Sequence, residues 1–158
     1  MSRNRDRQQI IFYFSVLLVV AWIAFIFHLS SQPASQFNAL SRQVTEVIIE
    51  TIEKVAPETS FNWDLRGLNH FIRKKAHFIS YFVLGALVMN ALDQKGYRKV
   101  PLTLLICVLY AVSDEIHQTF VPGRGGNVID VVLDSVGSLI GIGLYLVVRS
   151  KVTVRLNK

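Results

Sequence analysis

Charged side chains are scarce in this sequence. Only 18% of its 158 residues are Asp, Glu, Lys or Arg, whereas 51% are hydrophobic. Soluble domains carry roughly 25% charged residues, so this chain has few side chains with which to solvate a surface. The composition argues against a soluble enzyme domain.

Cysteine and acidic residues are also few. The single cysteine, Cys107, excludes an internal disulfide and every multi-cysteine zinc or iron–sulfur site. The 17 Lys and Arg residues outnumber the 11 Asp and Glu residues, and the net charge is +6. In a membrane protein this excess is typical of basic loops that face the cytoplasm, so we expect no nucleic-acid partner.

Long apolar runs are present instead. A helix needs about 20 predominantly apolar residues to cross a bilayer, and four stretches approach this length. They cover residues 10–28, 75–92, 100–120 and 128–148. The first follows a basic start, but it is longer than a usual signal-peptide core and no clear cleavage site follows, so we expect a retained helix. The sequence predicts an all-α membrane protein with four transmembrane helices in a single domain, residues 1–158.

The segment between the first and second stretches, residues 30–70, is more polar. Pro33 and Pro57 bracket a part of it in which apolar residues recur at helical spacing, which predicts an amphipathic helix over residues 35–55. Its polar side carries charges of both signs, unlike the basic helices that bind anionic lipid. We interpret it as a cap on the bundle or as a lid over a partner or substrate.

Basic residues indicate the orientation of the bundle. Three lie before the first stretch, three in residues 93–99 and four in the last ten residues, against one, Arg124, in residues 121–127. The positive-inside tendency therefore places both termini in the cytoplasm and residues 30–70 outside, in a multi-pass protein of a plasma membrane.

Polar clusters lie at three helix ends that this topology brings to the outer side. Asp114 and Asp134 each lie roughly 9 Å inside the end of a helix by helical rise, and the short turn between them makes their helices antiparallel neighbours. Arg73, His77 and Tyr81 share one face of the second helix because they are four residues apart. We expect these groups to meet in one polar pocket.

Such a cluster is costly in a membrane. Each ionisable side chain costs roughly 2.5–3.5 kcal/mol at the centre of a helix, so the acids and histidines must be paired or wetted. One interpretation is a structural network in which the charges only satisfy each other. The available cations at the mouth of the pocket are Arg73, Lys74, Lys75 and Arg124.

Three chemistries also fit the pocket. Imidazole and carboxylate groups can bind zinc or manganese, but no tight ligand spacing occurs, so we assign no metal residues and the cofactor stays unknown. An enzyme could use Glu115 or His117 as base, with Asp114 beside them and arginines clamping a phosphate. A binding site would use the cations to hold an anionic head group while the apolar helices hold its lipid tail.

Three stretches resemble the VanZ-like family of bacterial membrane proteins, which is named for a protein associated with teicoplanin resistance. They are SSQ at residues 30–32, RKKAHFISYFVLG at 73–85 and SDEIHQTFVPGRGGNVIDVVLDSVGSLIG at 113–141. Many members carry glutamate where this chain has Ser80, so this chain lacks one candidate acid of the family. The family pattern covers Lys75, His77, Tyr81, Gly85, Asp114, Glu115, His117, Gln118, Pro122, Arg124, Asp130, Asp134 and Gly137.

The resemblance implies a bacterial plasma-membrane protein with a part in glycopeptide resistance, and it supplies no agreed reaction. Our leading hypothesis is a pocket in the outer leaflet that binds an anionic lipid, a lipid-linked cell-wall intermediate or a lipid-tailed antibiotic. The alternative is a membrane enzyme that acts on a lipid-linked intermediate of the cell envelope, with Glu115, His117 and Asp114 as catalytic residues. The ligand-binding residues in either case are Arg73, Lys75, His77, Tyr81, Gln118, Arg124, Asp130 and Asp134.

Overall fold

A computed structural model describes residues 2–33, 65–92 and 99–156, together with a few helical positions between residues 43 and 54. Four long helices account for most of these residues, and the described part of the chain contains no strand. The helices are α1 (Ser2–Ser30), α2 (Leu65–Ala91), α3 (Val100–Gln118) and α4 (Val128–Leu156).

The predicted all-helical membrane class is confirmed, and three helices are long and apolar enough to cross a membrane. Their candidate spans are Gln9–Ser30, Val100–Gln118 and Val128–Val152. Helix α2 is not among them; it begins at Leu65 rather than near Lys75, so its first half is basic. A crossing by this helix stays a prediction. The amphipathic helix over residues 35–55 falls mostly outside the described residues.

Many large apolar side chains face outward in this bundle, and several polar side chains are buried beside its apolar core. Ile10, Leu17 and Leu109 are about 60% exposed or more. Conversely, the side chains of Asp114 and Asp134 are almost completely buried. A water-soluble monomer avoids an apolar surface of this extent, whereas lipid accepts it. The arrangement therefore fits a bundle surrounded by hydrocarbon.

Helices α2 and α4 approach each other closely along a line of glycines, which we call the glycine seam (Gly85, Gly137 and Gly141). A Cβ added at Gly137 would lie 2.7 Å from the carbonyl oxygen of Phe78. A Cβ at Gly141 would collide with the carbonyl oxygen of Phe82, and one at Gly85 with that of Ser138. Only hydrogen fits at these positions, so the backbones pack at the distance that small residues allow in membrane helices.

Helix α1 joins the bundle through hydrogen bonds to backbone carbonyl groups. The indole Nε1 of Trp22 donates to the oxygen of Ser80 over 2.9 Å. The hydroxyl of Tyr110 donates to the oxygen of Ile23, also over 2.9 Å. Below this level the side-chain amide of Asn90 donates to Ser15 Oγ over 3.0 Å. These contacts fix the level at which the end of α1 meets the polar ends of the other helices.

Candidate functional site

A short turn joins α3 to α4 and positions the residues on either side. Gly123 has φ of 75°, in the left-handed region that glycine enters without a Cβ penalty. The backbone N–H of Arg124 donates to the oxygen of Val121 over 3.0 Å and closes the turn. Asn127 then caps α4, because its side-chain oxygen accepts a hydrogen bond of 3.0 Å from the N–H of Ile129.

Glu115 is held in place by this turn. Its Oε2 accepts a hydrogen bond of 2.8 Å from the backbone N–H of Asn127, and its Oε1 accepts one of 3.2 Å from Gln118 Nε2. The turn comes close enough because Gly126 has no side chain: a Cβ there would lie 2.8 Å from the carbonyl oxygen of Glu115. Both carboxylate oxygens therefore have donors, and the side chain is fixed at the end of α3.

His77 lies between two buried carboxylates. Its Nδ1 is 3.9 Å from Oδ2 of Asp114 and 3.9 Å from Oδ2 of Asp134. These distances exceed the roughly 3.5 Å limit of a direct hydrogen bond, so the contacts are electrostatic. A protonated imidazole here offsets part of two negative charges contributed by two other helices.

The two aspartates differ in their hydrogen bonds. Asp114 Oδ2 accepts from Ser30 Oγ over 2.9 Å and from Gln118 Nε2 over 3.3 Å. Asp134 Oδ2 accepts no hydrogen bond within the described residues, although Asp134 is 1% exposed. A buried acceptor left without a donor costs about 1–3 kcal/mol. Asp114 thus has two donors on Oδ2 and none on its buried Oδ1, whereas Asp134 has none on its buried Oδ2.

Lys74 and Asp130 form a partly buried ion pair at the mouth of the site. Lys74 Nζ is 2.9 Å from Asp130 Oδ1, and each side chain is 28% exposed. The pair connects α2 to the first turn of α4, where an acidic residue also suits the positive end of the helix dipole. Its partial burial makes it stronger than a fully exposed pair.

These side chains surround one cavity with a volume of about 90 Å³. Sites that enclose a whole drug-sized ligand measure roughly 300–1,000 Å³, so this cavity suits a small polar group instead. Arg124 lines it and also donates from Nη2 to the carbonyl oxygen of Leu29 over 3.2 Å, which ties the turn to the end of α1. The lining residues are Lys74, His77, Glu115, Gln118, Gly123, Arg124, Gly125, Asp130, Leu133 and Asp134.

The structure brings together six of the residues that the sequence selected. They come from α2, α3, α4 and the turn, so the expected convergence of three helix ends occurs. These six are His77, Glu115, Gln118, Arg124, Asp130 and Asp134.

Five selected residues lie outside the cavity lining. Asp114 and Tyr81 are buried next to it, and the hydroxyl of Tyr81 has no hydrogen-bond partner within the described residues. Lys75 is exposed on α2. Arg73 belongs to α2, but its side chain is outside the part that the structure describes.

His117 is the fifth of these and faces α1. Its ring stacks on Phe27 with centroids 4.6 Å apart, and its Nε2 is 3.2 Å from Ser31 Oγ. The histidine that lines the cavity is His77. The pairing of His117 with α1 depends on the position of that helix, which helical spacing on α3 does not reveal.

Lys74 and Ser30 take larger parts than we assigned to them from the sequence. Lys74 is three residues before His77, and this spacing places both residues on one face of α2. The spacing is the sequence signal that indicates Lys74 as a residue of the site. Ser30 is 84 residues from its partner Asp114, and its signals were its place just after an apolar run and in the SSQ stretch that resembles the family. Within the described residues, no group of three or more His, Cys, Asp and Glu side chains has the geometry to hold a metal ion.

Comparison with known proteins gives a family for this fold and site. The family model described as VanZ/LLP1 matches residues 14–149, which is most of the chain. This chain belongs to the VanZ family, and the resemblance seen in its sequence is confirmed. Searches among curated proteins and solved structures gave no match.

Proposed function

We propose that this VanZ-family membrane protein binds an anionic head group in the cavity between α2, α3 and α4, on a molecule whose lipid tail stays in the outer leaflet. The ligand class is a membrane lipid, a lipid-linked cell-wall intermediate or a lipid-tailed glycopeptide such as teicoplanin. In the last case, binding at a bacterial plasma membrane contributes to resistance by sequestering the antibiotic. With the cavity at the outer leaflet, both termini of the chain lie in the cytoplasm.

The observation that carries the proposal is that Lys74 and Arg124 line one small cavity at the polar end of an otherwise apolar bundle. Arginine and lysine bind phosphate and carboxylate through charge-assisted hydrogen bonds, which are stronger than neutral ones. The exposed apolar faces of α3 and α4 supply the surroundings that an acyl chain needs. The cations that bind the head group thus lie next to the apolar surface that contacts the lipid tail.

Titration of a short-chain lipid with a glycerol phosphate head group into the full chain in uncharged detergent micelles tests this proposal. We expect Arg124→Gln to weaken binding about tenfold, because a hydrogen bond to a charged group contributes about 1.5–3 kcal/mol and 1.4 kcal/mol is a factor of ten. Higher salt should weaken binding to the native chain, since screening reduces the attraction.

Lys99→Gln is the matched control. Lys99 precedes α3 at the end opposite Gln118, so it is roughly 28 Å from the cavity by helical rise. Its replacement removes one positive charge and should leave the affinity unchanged. Equal weakening by both substitutions, or no binding by the native chain, would contradict the proposal.

A membrane enzyme acting on a lipid-linked envelope intermediate is the second candidate, and one observation favours it. A carboxylate, Glu115, and an imidazole, His77, line the same cavity, which is the composition of many general acid–base sites. In this version His77 takes the place that we gave to His117 from the sequence. Glu115→Gln should abolish turnover of the bound lipid while binding persists; loss of binding alone would favour the first candidate.

A further inference from the structure

The charge of the cavity lining does not match a purely anionic ligand. Three carboxylates, Glu115, Asp130 and Asp134, line it together with two fixed cations, Lys74 and Arg124. The Lys74–Asp130 pair at 2.9 Å neutralises itself. The remaining part of the lining thus contains two carboxylates and one fixed cation, so it can accept a second positive charge beside the imidazole of His77.

The hydrogen bonds show which of these two carboxylates, Glu115 or Asp134, lacks a donor. Glu115 already receives donors on both oxygens, from Asn127 and Gln118. Asp134 Oδ2 receives none within the described residues, and Asp134 is 1% exposed while lining the cavity. His77 Nδ1, at 3.9 Å, is beyond hydrogen-bond distance. A ligand group that completes this site must therefore bring both a positive charge and an N–H donor.

We infer that the cavity recognises a zwitterionic head group, in which a primary ammonium donates to Asp134 and a neighbouring phosphate or carboxylate binds Arg124. This inference rests on the proposed function and defines its ligand class more closely. A quaternary ammonium has the charge but no N–H, and an alcohol has the O–H but no charge, so neither satisfies Asp134 fully. The volume of about 90 Å³ fits a head group of this size.

Three lipids with the same short acyl chains test the inference on the full chain in uncharged micelles. Their head groups are phosphoethanolamine, phosphocholine and glycerol phosphate. We expect the ethanolamine lipid to bind about tenfold more tightly than either of the others, because it alone adds a charge-assisted hydrogen bond. Asp134→Asn should abolish this preference, so that the ethanolamine lipid binds no more tightly than the glycerol lipid.

Lys99→Gln is the control, since Lys99 is a charged residue at the end of α3 opposite the cavity and does not line it. This variant should keep the preference for ethanolamine. Equal affinity of the native chain for the ethanolamine and glycerol lipids would overturn the inference and leave the proposed function standing. No binding of any of the three lipids would overturn both.

Soluble phosphoethanolamine distinguishes the source of the head group. If the ligand is a lipid, the soluble compound should compete only weakly, because it lacks the tail that the apolar faces hold. Competition as strong as that of the lipid would support the ammonium assignment and identify a soluble ligand. The native chain alone suffices for the competition and for the head-group series, so the inference can fail even if a variant does not fold.

Discussion

The glycine seam and the cavity both involve α2 and α4, but the helices pack closely at the seam and leave a space at the cavity. At the seam, backbone atoms of α2 and α4 are so close that a Cβ at Gly141 has no room. At the cavity, charged side chains of these helices surround about 90 Å³ of space. Close packing in one part, together with a hydrogen bond of 3.2 Å from Ser138 Oγ to the carbonyl oxygen of Tyr81, holds the helices at a fixed separation. The charged groups at the other part are therefore not required for holding the helices together.

The largest expected effect comes from adding apolar atoms at the seam. Gly141→Leu places a side chain against the carbonyl oxygen of Phe82, which cannot rotate away. Overpacking costs typically about 1–3 kcal/mol and sometimes more, and we expect at least about 3 kcal/mol here because backbone must move. Unfolding by a denaturing detergent measures the change.

Gly143→Leu is its control on the same helix. A Cβ at Gly143 has no atom within 4 Å, so this variant should unfold with the native protein to within about 0.5 kcal/mol, as surface substitutions do. If Gly141→Leu and Gly143→Leu lost similar amounts of stability, the helices would not be packed more closely at the glycine seam than at the lipid-facing surface.

An intermediate effect of opposite sign is expected at the cavity. Asp134→Leu removes a buried oxygen that has no donor within the described residues, so unfolding should become about 1–3 kcal/mol more difficult. Binding of the ethanolamine lipid should be lost in the same sample. A destabilised Asp134→Leu protein would mean that this carboxylate serves the fold.

Asp114→Leu sharpens this result. Asp114 accepts hydrogen bonds from Ser30 and Gln118, and its replacement leaves those buried donors without an acceptor. We expect a loss of stability by about 1–3 kcal/mol, measured in the same unfolding experiment. Substitution by leucine should thus increase the stability of the protein at Asp134 and decrease it at Asp114.

The smallest effect is expected where α1 attaches to α3. Tyr110→Phe removes the hydrogen bond to the oxygen of Ile23. Hydrogen bonds between membrane helices contribute about 0.6 kcal/mol on average, and we expect a loss of that size. Tyr13→Phe, on the 68% exposed Tyr13, is the control and should have no effect. A loss above about 2 kcal/mol for Tyr110→Phe would place α1 among the essential parts of the bundle.

The sequence predicted the features that depend on helix length and helical spacing. Apolar runs indicated α1, α3 and α4, and the short turn after α3 brought Glu115 and Asp134 together as expected. The start of α2 at Leu65 was not indicated, because its basic first half is helical without being apolar. Helical structure and membrane burial are separate properties, and hydropathy reports only the second.

The sequence did not predict contacts that depend on where α1 packs. His117 shares a helix face with Asp114 by spacing, yet it stacks on Phe27 of α1. Ser30 meets Asp114 across 84 residues of chain. Neither pairing follows from the period of one helix, because the angular position of a neighbouring helix determines which side of α3 it covers.

The bond between Arg124 and Leu29 has a consequence for how the chain is assembled. Leu29 is in the last turn of α1, where carbonyl groups lack partners within the helix. Its donor is 95 residues later in the chain, so the ribosome must make most of the protein before this helix end is complete. Until then the carbonyl group of Leu29 lacks its side-chain donor, although Ser30 can already meet Asp114.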